Sequence, residues 1–117
     1  MEAVARARFQ RISPRKARVL INMVRGKKAA EALELLRFTR KSAARIVYKL
    51  IDSAISNIQH AQKSINLDDL IIKSAYVDKA PDHHMRRWRP RAFGRATRIV
   101  KGMSHITVVL GTSEKKK

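Results

Sequence analysis

The sequence predicts an α+β fold, and three observations carry that reading. Three segments repeat apolar residues at helical spacing, three others have the alternation or the β-branched texture of strands, and the interval before the last strand holds arginines but no apolar face to bury. A chain of 117 residues accommodates one modest core and not two, so a single domain is expected. The expected body takes residues of about 1–80 and 102–112, an extended hairpin takes about 81–101, and 113–117 form a flexible basic tail.

The elements follow in order. Ala3, Ala5, Ala7 and Phe9 alternate with Val4, Arg6, Arg8 and Gln10, which predicts a strand with a small apolar side and a basic side. Ser13 before Pro14 reads as an N-cap followed by proline at the first helical position, where the missing N–H costs nothing, and Gly26 stands where a helix ends. On the helix of about three turns between them, Ala17, Leu20 or Ile21, and Val24 point inward. A short second helix carries Ala29, Leu33 and Leu36 inward and Glu31 and Glu34 outward. Thr39 is expected to cap a longer third helix, whose stripe runs through Ala43, Val47, Leu50, Ala54, Ile58 and Ala61 and is widened by Ile51 and Ile55. "LIIKSAYVDKAP" from Leu70 and "HITVVLG" from His105 are strands by composition.

The interval from Pro81 to Ser104 is either a disordered loop or an outward continuation of both strands as an antiparallel ribbon. Thr97, Ile99 and Val100 keep β propensity, and Pro90 and Gly94 supply turn chemistry near its midpoint, which favours the ribbon with its turn near Arg89 to Gly94. Arms of about ten residues would reach on the order of 30 Å. An isolated two-stranded ribbon of that length is marginal in water and needs a partner to hold it.

Charge names the class of partner. Lysine and arginine total 27 against nine acids, a formal net charge of +18, and self-repulsion on that scale opposes compaction unless a polyanion neutralises it. Residues 1–30 carry +8, residues 31–80 carry +2 and residues 81–117 carry +8, so an ordinary middle lies between two polyanion-binding ends. No apolar run reaches the roughly 20 residues that span a bilayer, and "MEAVARARFQ" lacks the apolar core of a signal peptide. No membrane partner is expected, and the protein is expected to remain in the compartment where it is made. With no cysteine there is neither a disulfide framework nor a thiolate zinc site.

Arg6, Arg8, Arg11, Arg15, Lys16 and Arg18 form an expected nucleic-acid patch across the first strand and helix, because the acids that balance a merely soluble surface are missing there. Trp88, the only tryptophan, sits among arginines, where stacking on a base or a guanidinium would bury its face. Six arginines and no lysine occupy residues 85 to 98, and the planar guanidinium suits bidentate phosphate contacts and stacking in folded RNA.

Catalytic constellations are absent from the pattern. His83 and His84 are adjacent, so a strand would aim them at opposite faces, and Arg86 and Arg87 would repel a divalent cation. Asp68 and Asp69 in "NLDDL" read as solvated turn residues. "RGKKAAE" lacks the second glycine and the hydroxyl residue of a phosphate-binding loop. The chain is expected to be no enzyme, to hold no metal and to use no cofactor.

"SPRKARVLINMVRGKKAAEALELL", "KSINLDDLIIKSAYVDKAP", "RPRAFGRATRI" and "SHITVVL" stand in this order, and together they make the chain resemble the large-subunit ribosomal protein family numbered twenty-two, in its bacterial form, from about Ala5 to Leu110. The resemblance implies three helices packed on a small three-stranded antiparallel sheet, with a long extended β-hairpin. It implies a body on the outside of the large ribosomal subunit near the peptide-tunnel exit, and a hairpin that runs inward through rRNA to the tunnel wall. It further implies wide rRNA contact, a part in subunit assembly, and a tunnel constriction, approached by macrolide antibiotics, that is shared with the protein of the fourth family. The nascent peptide would pass the tip, and the protein would be a monomer within the cytoplasmic ribosome.

On this sequence the family's hairpin tip corresponds to Arg86 through Arg95, with Pro90, Arg91, Gly94 and Arg95 among them, and its rRNA-binding body to Ser13, Pro14, Arg15, Lys16, Arg18, Arg25, Gly26, Lys27 and Lys28. With Arg6, Arg8 and Arg11 in the body and Arg87, Trp88, Arg89 and Arg98 in the hairpin, these are the expected rRNA-binding and tunnel-lining residues. The alternative function is an architectural DNA-bending protein, since such proteins also lay proline-tipped basic ribbons on nucleic acid.

Overall fold

The computed structural model describes residues 2–63, 66–81, 87–90, 92–99 and 102–112. The chain forms β1 (Glu2–Gln10), α1 (Pro14–Val24), α2 (Ala29–Arg37), α3 (Ser42–Ala61), β2 (Leu70–Ala80), β3 (Arg87–Pro90), β4 (Ala96–Ile99) and β5 (Met103–Thr112), with a 3₁₀ turn at Leu67–Asp69 before β2.

The helices obey their sequence signals with three exceptions, the first being that the Ser13 hydroxyl makes no capping hydrogen bond to α1. Ser13 takes the extended backbone of an N-cap ahead of Pro14, and α1 stops at Gly26, whose φ of 79° suits a residue without Cβ. Ala17, Leu20, Ile21 and Val24 are all buried, so the inward stripe of α1 takes both Leu20 and Ile21. Thr39, expected to cap α3, belongs to the end of α2 instead. Its hydroxyl donates to the Leu35 carbonyl at 2.7 Å, one of the carbonyls a helix end leaves without an amide partner, and Lys41 occupies the N-cap position of α3. Ala61, expected on the buried stripe of α3, is exposed, because burial ends at Ile58, before the helix does.

The sheet has the order β1-β5-β2, antiparallel throughout, and the helices pack on one of its faces. Ala3 and Ala5 of β1, Ile72, Ala75 and Val77 of β2, and Ile106, Val108 and Leu110 of β5 form the sheet's share of the core. Two register shifts interrupt the alternation. One falls between Ile72 and Ser74 and puts Ser74, Tyr76 and Asp78 on the face away from the helices. The other falls between Ala7 and Gln10, so Arg8 and Phe9 share the interval before Ser104 is paired. Phe9 was expected on the apolar side of β1. The bulge turns it out at φ 54°, and it is 53% exposed.

Beyond the body, β3 and β4 pair antiparallel from Arg87↔Ile99 to Pro90↔Ala96, which decides between loop and ribbon in favour of the ribbon. Pro90 ends β3 rather than shaping the turn, and the chain reverses through consecutive left-handed residues, Phe93 at φ 62° and Gly94 at φ 68°. The molecule extends 67 × 25 × 23 Å, and its Cα radius of gyration is 17.6 Å. A compact domain of this length would have about 13 Å, and the projecting ribbon accounts for the excess. Among the described residues no helix is long and apolar enough to cross a membrane.

Ile106 is fully buried on the central strand. Ile106→Ala is expected to cost about 2–5 kcal/mol, seen as a lower urea midpoint with an unchanged slope.

Candidate nucleic-acid interface

The basic residues of the body separate into two groups by what their side chains touch. Arg18 and Arg25 are turned onto the outer edge of β2. The Arg25 guanidinium donates from Nε and Nη2 to the Ala75 carbonyl at 3.0 and 2.7 Å, and from Nη1 to Asn22 Oδ1 at 3.0 Å. Arg18 donates from Nη2 to the Val77 carbonyl at 3.1 Å. Further along the same edge, the Gly26 amide donates to the Ile72 carbonyl at 3.1 Å and the Ile72 amide to the Lys27 carbonyl at 2.9 Å. Backbone and guanidinium groups thus cover an edge that would otherwise offer itself to another strand.

Arg15 and Lys16 on α1, Arg11 before it, and Lys27 and Lys28 after it are exposed. Lys16 shares a cleft with Lys41 and Ser42 at the start of α3. Arg6 and Arg8 line a second cleft with Lys49 and Ser53 of α3, which adds Lys49, a residue the sequence pattern did not single out. A lone lysine on a long helix carries no signal until β1 is laid beside it. Ser13 packs at the root of the ribbon, where a Cβ on Gly102 would stand 3.3 Å from its Cα.

On the ribbon, Trp88, Arg89, Pro90, Phe93, Gly94 and Arg95 are exposed, Trp88 by 68% and Phe93 by 98%. Arg87 and Arg98 are placed by backbone register, opposite Ile99 and Trp88 respectively. Arg86, Arg91, His83, His84 and the tail at 113–117 lie outside the described residues. Residues 83 to 113 contain no acid, so the ribbon presents cations and aromatic rings alone.

Asp68 and Asp69 are exposed in the 3₁₀ turn, where the Asp68 amide donates to Asn66 Oδ1 at 3.0 Å. Among the described residues no group of histidines and carboxylates is placed to hold a metal ion.

The sequence of this chain is matched by the family model described as Ribosomal protein L22p/L17e over residues 5–111, from within β1 to within β5. The chain belongs to that ribosomal protein family. It is 53% identical over 108 residues to the large ribosomal subunit protein uL22 of Sorangium cellulosum, covering 92% of this chain and 95% of the relative. It is 48% identical over 110 residues to the protein of the same name from Syntrophobacter fumaroxidans, and 53% identical over 111 residues to that from Syntrophotalea carbinolica, each match covering 94% of this chain and 97% of the relative. The family is one of ribosomal proteins and not of enzymes, and membership leaves the DNA-bending alternative without support.

The two groups of arginines predict different losses. Arg25→Ala removes three hydrogen bonds and is expected to lower stability by about 1–2 kcal/mol in urea denaturation. Arg15→Ala, with an exposed side chain, is expected to stay within about 0.5 kcal/mol of the parent.

Proposed function

We propose that this structural constituent of the large ribosomal subunit grips rRNA with its basic body and sends its ribbon through rRNA to line the nascent-peptide tunnel. In the body, Arg6, Arg8, Arg11, Arg15, Lys16, Lys27 and Lys28 neutralise phosphates. Arg18 and Arg25 contribute the N–H groups that their β2 partners leave free, and Ser13 offers a hydroxyl that makes no capping bond to α1. In the ribbon, Arg86, Arg87, Arg89, Arg91, Arg95 and Arg98 meet phosphates and bases on both sides of a narrow channel, Trp88 stacks, Gly94 shapes the tip, and Pro90 closes β3 just before it. The protein of the fourth family is the neighbour at the tunnel wall, and the nascent peptide passes the tip. Binding supports assembly because one ribbon engages RNA segments that must be brought together.

The observation that carries this reading is the ribbon itself. A two-stranded hairpin with exposed Trp88 and Phe93 gains little by folding alone, and such a reach beyond the body serves only a partner that encloses it. A polyanion with aromatic bases is the partner that cations, rings and the lack of acids fit together.

Deleting residues 87–99 is expected to leave the helical circular dichroism of the body intact while the protein washes off large subunits in high-salt cosedimentation. Retention equal to that of the full chain would overturn the reading. Replacing Arg15 and Lys16 together by alanine is expected to flatten the dependence of log affinity for rRNA on log salt by about 1.4–1.8, the counterions of two phosphate contacts.

A further inference from the structure

The helices cover one face of the β1-β5-β2 sheet and leave the other open. Across that open face, the register aligns Arg6, Thr107 and Tyr76 in one row, and His105 and Asp78 in the next, where the β1 bulge adds Arg8 and Phe9. These side chains line a single cleft of about 340 Å3. We propose that this cleft is a recognition site for one unpaired nucleotide of large-subunit rRNA, separate from the ribbon and from the α1 surface. The proposal rests on the reading that the body binds rRNA, and it names a site within it.

Strain at Phe9 is the first argument. A bulky residue in the left-handed region is unfavourable, and this one is used to expose a ring that ordinary alternation would have buried. The conformation is held by named contacts. The Phe9 amide donates to Nδ1 of His105 at 3.0 Å, and the two rings meet edge-on with centroids 4.6 Å apart. Accepting at Nδ1 leaves the imidazole Nε2 to carry the proton, as a further donor. Two strands away, the Tyr76 ring is 42% exposed on the same face.

The mixture of groups is the second argument. A site for a bare phosphate would hold cations alone, and Asp78 sits among Arg6 and Arg8. An acidic peptide would be repelled by that carboxylate, and an apolar one would find no aliphatic side chain lining the cleft. A nucleotide brings both chemistries. Its phosphate suits the two guanidiniums, its base offers a face to the exposed rings, and an exocyclic amino group can donate to Asp78. Only an unpaired base has that edge and that face free together.

The test uses the full-length chain and large-subunit rRNA. Phe9→Gly removes the ring and relieves the positive φ, so it is expected to unfold no more readily than the parent while binding rRNA about 5-fold or more weakly. Tyr76→Ala is expected to show a similar loss. Neither substitution removes a charge, so the salt slope stays unchanged, whereas Arg6→Ala lowers it by roughly 0.7–0.9. A photoreactive phenylalanine analogue in place of Tyr76 should cross-link to one unpaired nucleotide in assembled subunits. Parent-like affinity in both ring variants, or a cross-link to a neighbouring protein, would overturn the site while leaving the broader reading standing. A parent chain that shows no preference for large-subunit rRNA over duplex DNA would overturn both.

Discussion

The three-stranded sheet and the core built on it depend on the pairing of β5 on both of its edges. The strand lies between β1 and β2, and it sends Ile106, Val108 and Leu110 into the core without exposure. It is also the strand to which the returning arm of the ribbon leads. At that junction the buried Ser104 hydroxyl donates to the Ile12 carbonyl, and Gly102 lets the chain pass close against Ser13. These contacts fix the start of β5 against the segment between β1 and α1.

A central strand of this kind leaves two outer edges to protect, and both are met by side chains from helices. On β1, Asn57 of α3 donates to the Val4 carbonyl at 3.1 Å. On β2, the end of α1 supplies amide, carbonyl and guanidinium partners in sequence. Arginine suits the β2 edge because its planar fork can satisfy a carbonyl and still present donors outward. The same residues that look like pure phosphate contacts in the sequence are therefore fasteners of α1 to the sheet. Lys73 makes a smaller crossing of the sheet. It reaches Glu2 at 3.3 Å, and Gly111 is the position over which it passes, since a Cβ there would stand 2.5 Å from Lys73 Cε.

What could be read from the sequence follows from how local each signal is. Ser13, Pro14 and Gly26 bound α1 through backbone chemistry that needs no neighbour, and the stripe of α3 from Ala43 to Ile58 repeats long enough to be unambiguous. Thr39 was misplaced because a hydroxyl four residues after Leu35 serves a helix end as well as a helix start, and sequence does not say which backbone group is orphaned. Phe9 was misplaced because a bulge has no composition of its own. It is a mismatch between two strands, and it shows only when β1 is laid against His105 and Ser104. For the same reason the basic patch read as continuous from Arg6 to Arg18 is divided in space, with Arg6 and Arg8 beside Lys49 and Arg18 on the far edge of the sheet.

The two bulges give the open face its chemistry. If β2 alternated without a shift from Leu70 and Ile72, Ser74 and Tyr76 would point into the core and Ala75 and Val77 out of it. The shift at Lys73 keeps the small apolar residues inside and brings Tyr76 and Asp78 to the surface. The shift at Arg8 and Phe9 does the same for a second ring on the other side of β5. Two independent irregularities therefore converge on one cleft, on the face the helices leave bare. A strand irregularity costs ladder hydrogen bonds and, at Phe9, backbone strain, so a sheet that needed only to support helices would be more stable without the second one. On the proposed nucleotide site, that strain beside His105 and Arg6 is offset by what the exposed ring meets outside the molecule.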